Sequence, residues 1–320
     1  LRLQTNGLLI KSFRLANHAM WLQQVRGGLS SRFANETYPE IGMDSQEIRQ
    51  KSWRPFQLAF ILMNLDGLPL GDDVNHDDSS IVDLIWFPTG GGKTEAYLGV
   101  AAIALCFSRF LNADSQATEV IMRYTLRLLT SQQFQRATYL ILSLEHLRRE
   151  GAFEDDAVQA SEREFSAGLW VGRELTPNRL SDAHKHLKKM RTSGKKNKFA
   201  ILECPWCKAN LERSNEDNKY NPDYPGYSSF SSKQFSFVCP DTRCDFGGPG
   251  KNLPIYVIDE QLYESPPSLL LSTVDKFALL PWTDGPQKFL GKSVGKPPSL
   301  IIQDELHLIS GPLGSVVGHY

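Results

Sequence analysis

Phe87-Pro88-Thr89-Gly90-Gly91-Gly92-Lys93-Thr94-Glu95 is the stretch on which the reading of this chain turns. Before it runs Ile81-Val82-Asp83-Leu84-Ile85-Trp86, an apolar run of strand length. After it runs Ala96 to Leu111, apolar almost all round and interrupted only by Gly99. Strand, glycine-rich turn and buried helix form the context that a phosphate-binding loop requires. Three successive glycines let backbone N–H groups close around an anion. The helix N-terminus adds about half a positive charge at the same place. Thr89, Gly90, Gly91 and Gly92 are thus candidates to cradle phosphates, Lys93 to reach the β- and γ-phosphates, and Thr94 to ligate Mg²⁺. Phe87 stands where this motif usually has its first glycine, a departure from the pattern. The plainer alternative is a glycine-rich turn that merely closes a strand.

Working outward, the periodicity changes along the chain. Residues 1–30 repeat apolar positions at roughly helical spacing up to Gly27-Gly28, and 29–46 are rich in turn formers. Strand-like runs at 81–87, 118–124, 164–172, 253–258, 268–273 and 299–303 then alternate with helical stretches such as 94–111 and 127–149. Such alternation predicts an α/β fold, a parallel sheet with helices on both faces. The expected division is an N-terminal helical segment and linker over 1–50 and an α/β lobe over 51–320 that carries the glycine-rich loop.

The 320 residues suffice to bury a full core, and 41% apolar with 22% charged residues is ordinary for a globular protein. No uninterrupted apolar run reaches the roughly 18 residues of a membrane span, and no charged start with an apolar core marks a signal peptide. A net charge of −1 does not advertise a nucleic-acid binder, although a groove can be basic while the remaining surface is acidic. One basic run, Lys185, Lys188, Lys189, Arg191, Lys195, Lys196 and Lys198, reads first as a solvated helix face and second as a phosphate contact. Leu1 at the start, and an end soon after a candidate active-site strand, suggest a fragment of a longer protein.

A phosphate loop needs a partner strand ending in Asp, to hold the metal, and often Glu, to activate water. Ile255-Tyr256-Val257-Ile258-Asp259-Glu260 is one candidate, and Leu300-Ile301-Ile302-Gln303-Asp304-Glu305-Leu306-His307 is another. Periodicity does not choose between them. The second is followed by His307 and by Ser310-Gly311-Pro312, and its Asp-Glu-x-His pattern resembles the signature of superfamily 2 DExH helicases. Asp304 and Glu305 are therefore preferred. Residues 94–303 separate the two motifs, far more than a minimal lobe of that superfamily uses, so a segment is inserted.

The cysteines identify it. Cys204-Pro205-Trp206-Cys207 and Cys239-Pro240-Asp241-Thr242-Arg243-Cys244 make two close pairs, separated by residues 208–238. Each short loop can present two thiolates to one tetrahedral ion, so Cys204, Cys207, Cys239 and Cys244 read as a structural zinc site in an insertion over 199–250. Disulfides are not expected in a cytoplasmic nucleotide enzyme. Tyr220, Tyr224, Tyr227 and Phe230 lie between the pairs, where packing on a metal-stapled core is favoured over base stacking. Cys106, between Leu105 and Phe107, reads as core.

Further motifs extend the resemblance. Trp53-Arg54-Pro55-Phe56-Gln57 resembles the adenine-reading Gln motif of superfamily 2, with a solvated Gln opening a helix as the alternative. Tyr124-Thr125-Leu126-Arg127 resembles its first DNA-backbone motif, and Ser272-Thr273-Val274-Asp275-Lys276-Phe277 a later one. Thr125, Arg127, Thr273 and Lys276 are then candidate backbone contacts. Together with Gln303-Asp304-Glu305-Leu306-His307-Leu308-Ile309-Ser310-Gly311-Pro312, these stretches resemble the helicase-like component of DISARM phage-defence systems over about residues 52–319. The resemblance implies a cytoplasmic DNA helicase or translocase using ATP, Mg²⁺ and Zn²⁺. It further implies partnership with single-stranded or junction DNA and with a companion defence protein. Gln57 would read adenine, Asp304 hold the metal, Glu305 align water, and His307 couple nucleotide state to DNA. A second RecA-like lobe, with its Gln-x-x-Gly-Arg-type motif, is absent from this sequence. A DNA sensor or clamp that does not unwind, and an RNA-directed enzyme of the same superfamily, use the same motifs and stay open.

Overall fold

A computed structural model describes residues 5–39, 51–65, 67–68, 82–83, 92–125, 127–193, 196–212, 224–229, 231–292 and 296–306. The strand expected over 81–87 lies almost wholly outside them.

Helix α1 spans Gly7–Gly27, started by Asn6, whose side chain accepts the Leu9 N–H at 3.0 Å. Helix α2 spans Pro55–Asn64 with proline at its first turn, where a missing N–H costs nothing. Helix α3 spans Lys93–Leu111 and is buried without interruption from Ala96 to Arg109, so it is the central helix of the core. Its 19 residues are long and apolar enough to cross a membrane, yet 83% of its apolar window lies inside the protein. Gly99 sits within it because α2 comes close: a Cβ there would lie 2.8 Å from Ile61 Cδ1 and 2.9 Å from Trp53 Cη2.

The remaining major elements alternate as the periodicity predicts. They are β1 (Val120–Tyr124), α4 (Arg127–Arg149), α5 (Asp156–Ala160), β2 (Ala167–Trp170) and α6 (Leu180–Ser193). A small hairpin follows, β3 (Tyr227–Ser228) with β4 (Ser236–Phe237). Then come β5 (Ile255–Tyr256), α7 (Asp259–Glu264), β6 (Leu269–Thr273), α8 (Val274–Phe277), α9 (Asp284–Gln287) and β7 (Leu300–Gln303). Five strands form one parallel sheet in the order β5-β2-β6-β1-β7. Parallel neighbours require long crossovers, which the helices provide, and helices on the faces explain why β1, β2 and β6 read as apolar runs. At β7, the edge among the described strands, Ile301 is exposed.

Helix α1 packs on α3 and α4, and its Leu9, Ala19 and Met20 join the main core. A second apolar cluster gathers around Trp170, with Phe289 and Phe277 meeting it edge-on at ring separations of 5.3 and 5.5 Å. The exposed face of α6 carries Lys185, Lys188, Lys189 and Arg191. In the insertion, Tyr224 and Tyr227 are buried, and Tyr227 packs against Phe199 and Phe235. Those two aromatics serve the small core, and Tyr220 and Phe230 lie outside the described residues.

Candidate nucleotide site and metal centre

Gly92 ends the glycine loop with φ +88°, and a Cβ there would lie 2.7 Å from Gln57 Nε2, so glycine is required twice over. Lys93 and Thr94 form the first turn of α3. They line a cleft of about 750 Å³ with Gln57, Asp304 and Glu305. Asp304 arrives there because β7 pairs with β1 and the ladder continues one residue further, Asp304 N–H donating to Arg123 O at 3.0 Å. Its Oδ1 accepts the Glu305 N–H at 2.9 Å, and Glu305 itself holds a left-handed φ of 51°. With Gly92, six residues expected from sequence are thus brought to one cleft. Thr89, Gly90, Gly91 and His307 lie outside the described residues.

Tyr97 is a member that sequence reading missed. Its hydroxyl donates to Asp304 Oδ2 at 2.6 Å and lies 3.2 Å from Thr94 Oγ1. Burial, followed by the charge of Asp304, pushes its phenol well above the usual tyrosine range. The available signal was the spacing, since Thr94 and Tyr97 three residues apart share a helix face. Arg136 of α4 also lines the cleft, paired with Glu95 at 3.2 Å.

Gln57 is engaged at both ends of its amide: Oε1 accepts the Arg54 N–H at 2.9 Å, and Nε2 donates to Gly92 O at 2.8 Å. Each end keeps one further hydrogen-bonding position, a second lone pair on Oε1 and a second N–H on Nε2. The rival acids serve other ends. Glu260 accepts the Leu180 N–H at 2.8 Å and so caps α6, while Asp259 pairs with Lys276 at 2.7 Å.

The backbone-contact candidates are dispersed by depth. Lys276 is buried, its ammonium turned inward onto Asp259 and over the Trp170 ring at 5.2 Å. Thr273 is fully buried at the end of β6, level with Tyr124 at the end of β1. The hydroxyls of Thr273 and Thr125 have no partner among the described residues. Both stand at the carboxyl ends of adjacent parallel strands, where α/β sheets bind ligands. Arg127 opens α4 next to them.

The four cysteines converge. Their sulfurs all lie within 4.8 Å of one another and all four residues are buried. Cys207 and Cys239 are 3.6 Å apart and Cys204 and Cys244 4.0 Å. Tetrahedral Zn–S bonds place sulfurs about 3.8 Å apart, whereas a disulfide needs about 2 Å. Burial pushes the Cys204 thiol up, and hydrogen bonds from neighbouring thiols pull Cys207 down. Sulfurs this close share protons until a cation replaces them. The knuckle turns at Lys208, left-handed at φ 61°, and Cys204 N–H closes it onto Ala209 O at 2.8 Å.

Cationic side chains surround the centre, suited to the charge of −2 that four thiolates leave around Zn²⁺. Arg32 donates to Cys207 O at 2.9 Å and pairs with Asp241 at 2.7 Å, and Arg243 pairs with the same carboxylate at 2.9 Å. Arg26 of α1 stacks over Trp206 at 3.8 Å. Lys208 bridges Glu203 and the hydroxyl of Tyr139, and Tyr139 lines the nucleotide cleft. The N-terminal segment, the cysteine centre and the cleft are therefore in continuous contact.

A parallel sheet flanked by helices, with a Lys-Thr helix start facing an Asp-Glu strand end, defines an α/β protein compatible with a RecA-like lobe, carrying in addition a four-cysteine centre. No family model matches the chain. Its sequence is similar to that of the DISARM protein DrmA of Bacillus paralicheniformis, at 37% identity over 319 residues and 86% of the chain, and over that span it is DrmA-like. The chain corresponds to 27% of the length of that relative.

Proposed function

We propose that this chain carries the nucleotide-binding lobe of an ATP-dependent, DNA-acting helicase or translocase of superfamily 2 that serves cytoplasmic defence against phage. One observation carries the reading: Lys93 and Thr94 face Asp304 and Glu305 across one cleft, although residues 95–303 separate them in sequence. The donor set fits Mg²⁺, which prefers a hydroxyl, a carboxylate through water, and phosphate oxygens. Lys93 would neutralise the phosphates, Thr94 and Asp304 would hold the ion, and Glu305 would orient the attacking water. Bound Mg²⁺ and ATP supply the phosphoryl group and its charge neutralisation. Thr125 and Arg127 would supply a sequence-independent grip on a sugar-phosphate backbone, weakening with salt, while buried Thr273 would support them from the end of β6. Zn²⁺ on the four cysteines would be structural. The likeness to a DISARM protein supports the defence role and a companion protein of that system as partner.

The test is ATP hydrolysis by the full-length protein with and without single-stranded DNA. Lys93→Ala should abolish turnover. Glu305→Gln should retain nucleotide binding and lower turnover by about 10²–10⁴-fold, the usual worth of a positioned base. Glu260→Gln should leave turnover at the wild-type level, and the reverse pattern would sink the assignment. Hydrolysis indifferent to DNA would favour a nucleotide-gated sensor over a motor.

A further inference from the structure

Resting on the nucleotide-site reading above, we infer that Tyr97 is the positioning residue for the two groups that hold the metal. The geometry orients its hydrogen bonds. A carboxylate only accepts, so the bond of 2.6 Å to Asp304 Oδ2 takes the Tyr97 hydrogen. The Thr94 contact at 3.2 Å then runs the other way, Thr94 donating to the Tyr97 oxygen. This has a chemical result: a hydroxyl ligates a cation through a lone pair, and sending its hydrogen to Tyr97 leaves the lone pairs of Thr94 free for the cleft. Asp304 is fixed at the same time, Oδ2 by Tyr97 and Oδ1 by the Glu305 N–H.

The arrangement is rigid. Tyr97 is 6% exposed and lies in the stretch of α3 that is buried from Ala96 to Arg109. Tyr124 at the end of β1 faces the same cluster, its hydroxyl turned toward that of Tyr97. Partners that orient metal-holding groups in this way are commonly worth 10–100-fold in metal affinity or activity.

The experiment measures ADP binding to the full-length protein by calorimetry, in Mg²⁺ and in EDTA, for wild type, Tyr97→Phe, Tyr124→Phe and Lys93→Ala. Tyr97→Phe removes one oxygen and should bind ADP in EDTA as wild type does, while the gain in affinity conferred by Mg²⁺ falls by about tenfold or more. The Mg²⁺ concentration for half-maximal hydrolysis should rise in parallel, and Tyr124→Phe should keep the wild-type gain. An undiminished Mg²⁺ gain in Tyr97→Phe, or an equal loss in Mg²⁺ and EDTA, overturns the inference. Wild-type binding that is absent or insensitive to Lys93→Ala fails one step earlier, at the nucleotide-site reading itself.

Discussion

Gln57 gives its Nε2 hydrogen to the backbone oxygen of Gly92 at 2.8 Å, fastening the start of α2 to the last residue of the glycine loop. With Oε1 accepting the Arg54 N–H, both ends of the amide brace the loop. Gln57→Ala is therefore expected to lower kcat/KM for ATP and GTP by one common factor. Loss of one such bond corresponds to about 1 kcal/mol, roughly fivefold. The amides of Lys93 and Thr94 should also exchange hydrogen faster in the nucleotide-free variant. A selective loss for ATP, with GTP unaffected, would instead point to Gln57 as the reader of adenine.

The Lys276–Asp259 pair yields a second prediction. Lys276→Met strands a carboxylate in a buried site, and breaking such a pair costs about 3–5 kcal/mol. The variant should melt well below wild type before any effect on DNA binding is read.

The same pair sets a pH dependence. Burial raises the Asp259 carboxyl above its usual range, against the opposing pull of Lys276. The folded protein thus binds a proton there that the unfolded chain, with an ordinary Asp, has already released. This contribution favours folding in acid, and stability falls as pH rises from the unfolded value through the folded one. Without Lys276 the carboxyl rises further, so the variant's deficit in denaturant midpoint should shrink on acidification below neutral. A deficit constant from pH 7 to 5 would contradict this.

Metal removal is the third perturbation. Purified protein should contain one zinc per chain, and Cys204→Ser or Cys239→Ser should lose it. Structural zinc sites contribute on the order of 10 kcal/mol, so chelation should lower the melting temperature sharply. Because Arg26 and Arg32 lie directly on the cysteine loops, proteolysis should also release the N-terminal helix. Zinc-free protein with an unchanged melting curve would refute the centre.

Much of the framework was legible in the residues alone, for identifiable reasons. Strands β1, β2, β6 and β7 each lie within apolar runs flagged by periodicity, and for β1, β2 and β6 the reason is burial on both faces. Helix α4 has the bounds its 3.6-residue repeat implies. The cysteine cluster was legible because metal ligation constrains spacing within each loop. The acids at 259–260 and 304–305 look alike in sequence, and only tertiary contacts separate them, one pair facing Lys276 and the Leu180 N–H, the other facing Lys93 and Thr94. The inward turn of Lys276 was likewise hidden, since nothing local marks a lysine that a distant aspartate will bury. Tyr97 read as one more apolar-helix residue, its hydroxyl meaningful only once Asp304 stands opposite.

The grip of Arg26 and Arg32 on the cysteine loops also orders events in time. These arginines leave the ribosome long before Cys207, Asp241 and Cys244, whose loops they clasp. At about 5–20 residues per second, a separation of 209 residues between Arg32 and Asp241 delays that clasp by roughly 10–40 s. For that interval α1 can pack on α3 and α4, which emerge earlier, but its clasp on the cysteine loops waits, and contacts so distant in sequence are slow to form. Zinc supply during translation thus bears on this last clasp: nascent chains that meet no metal would hold α1 through α3 and α4 alone.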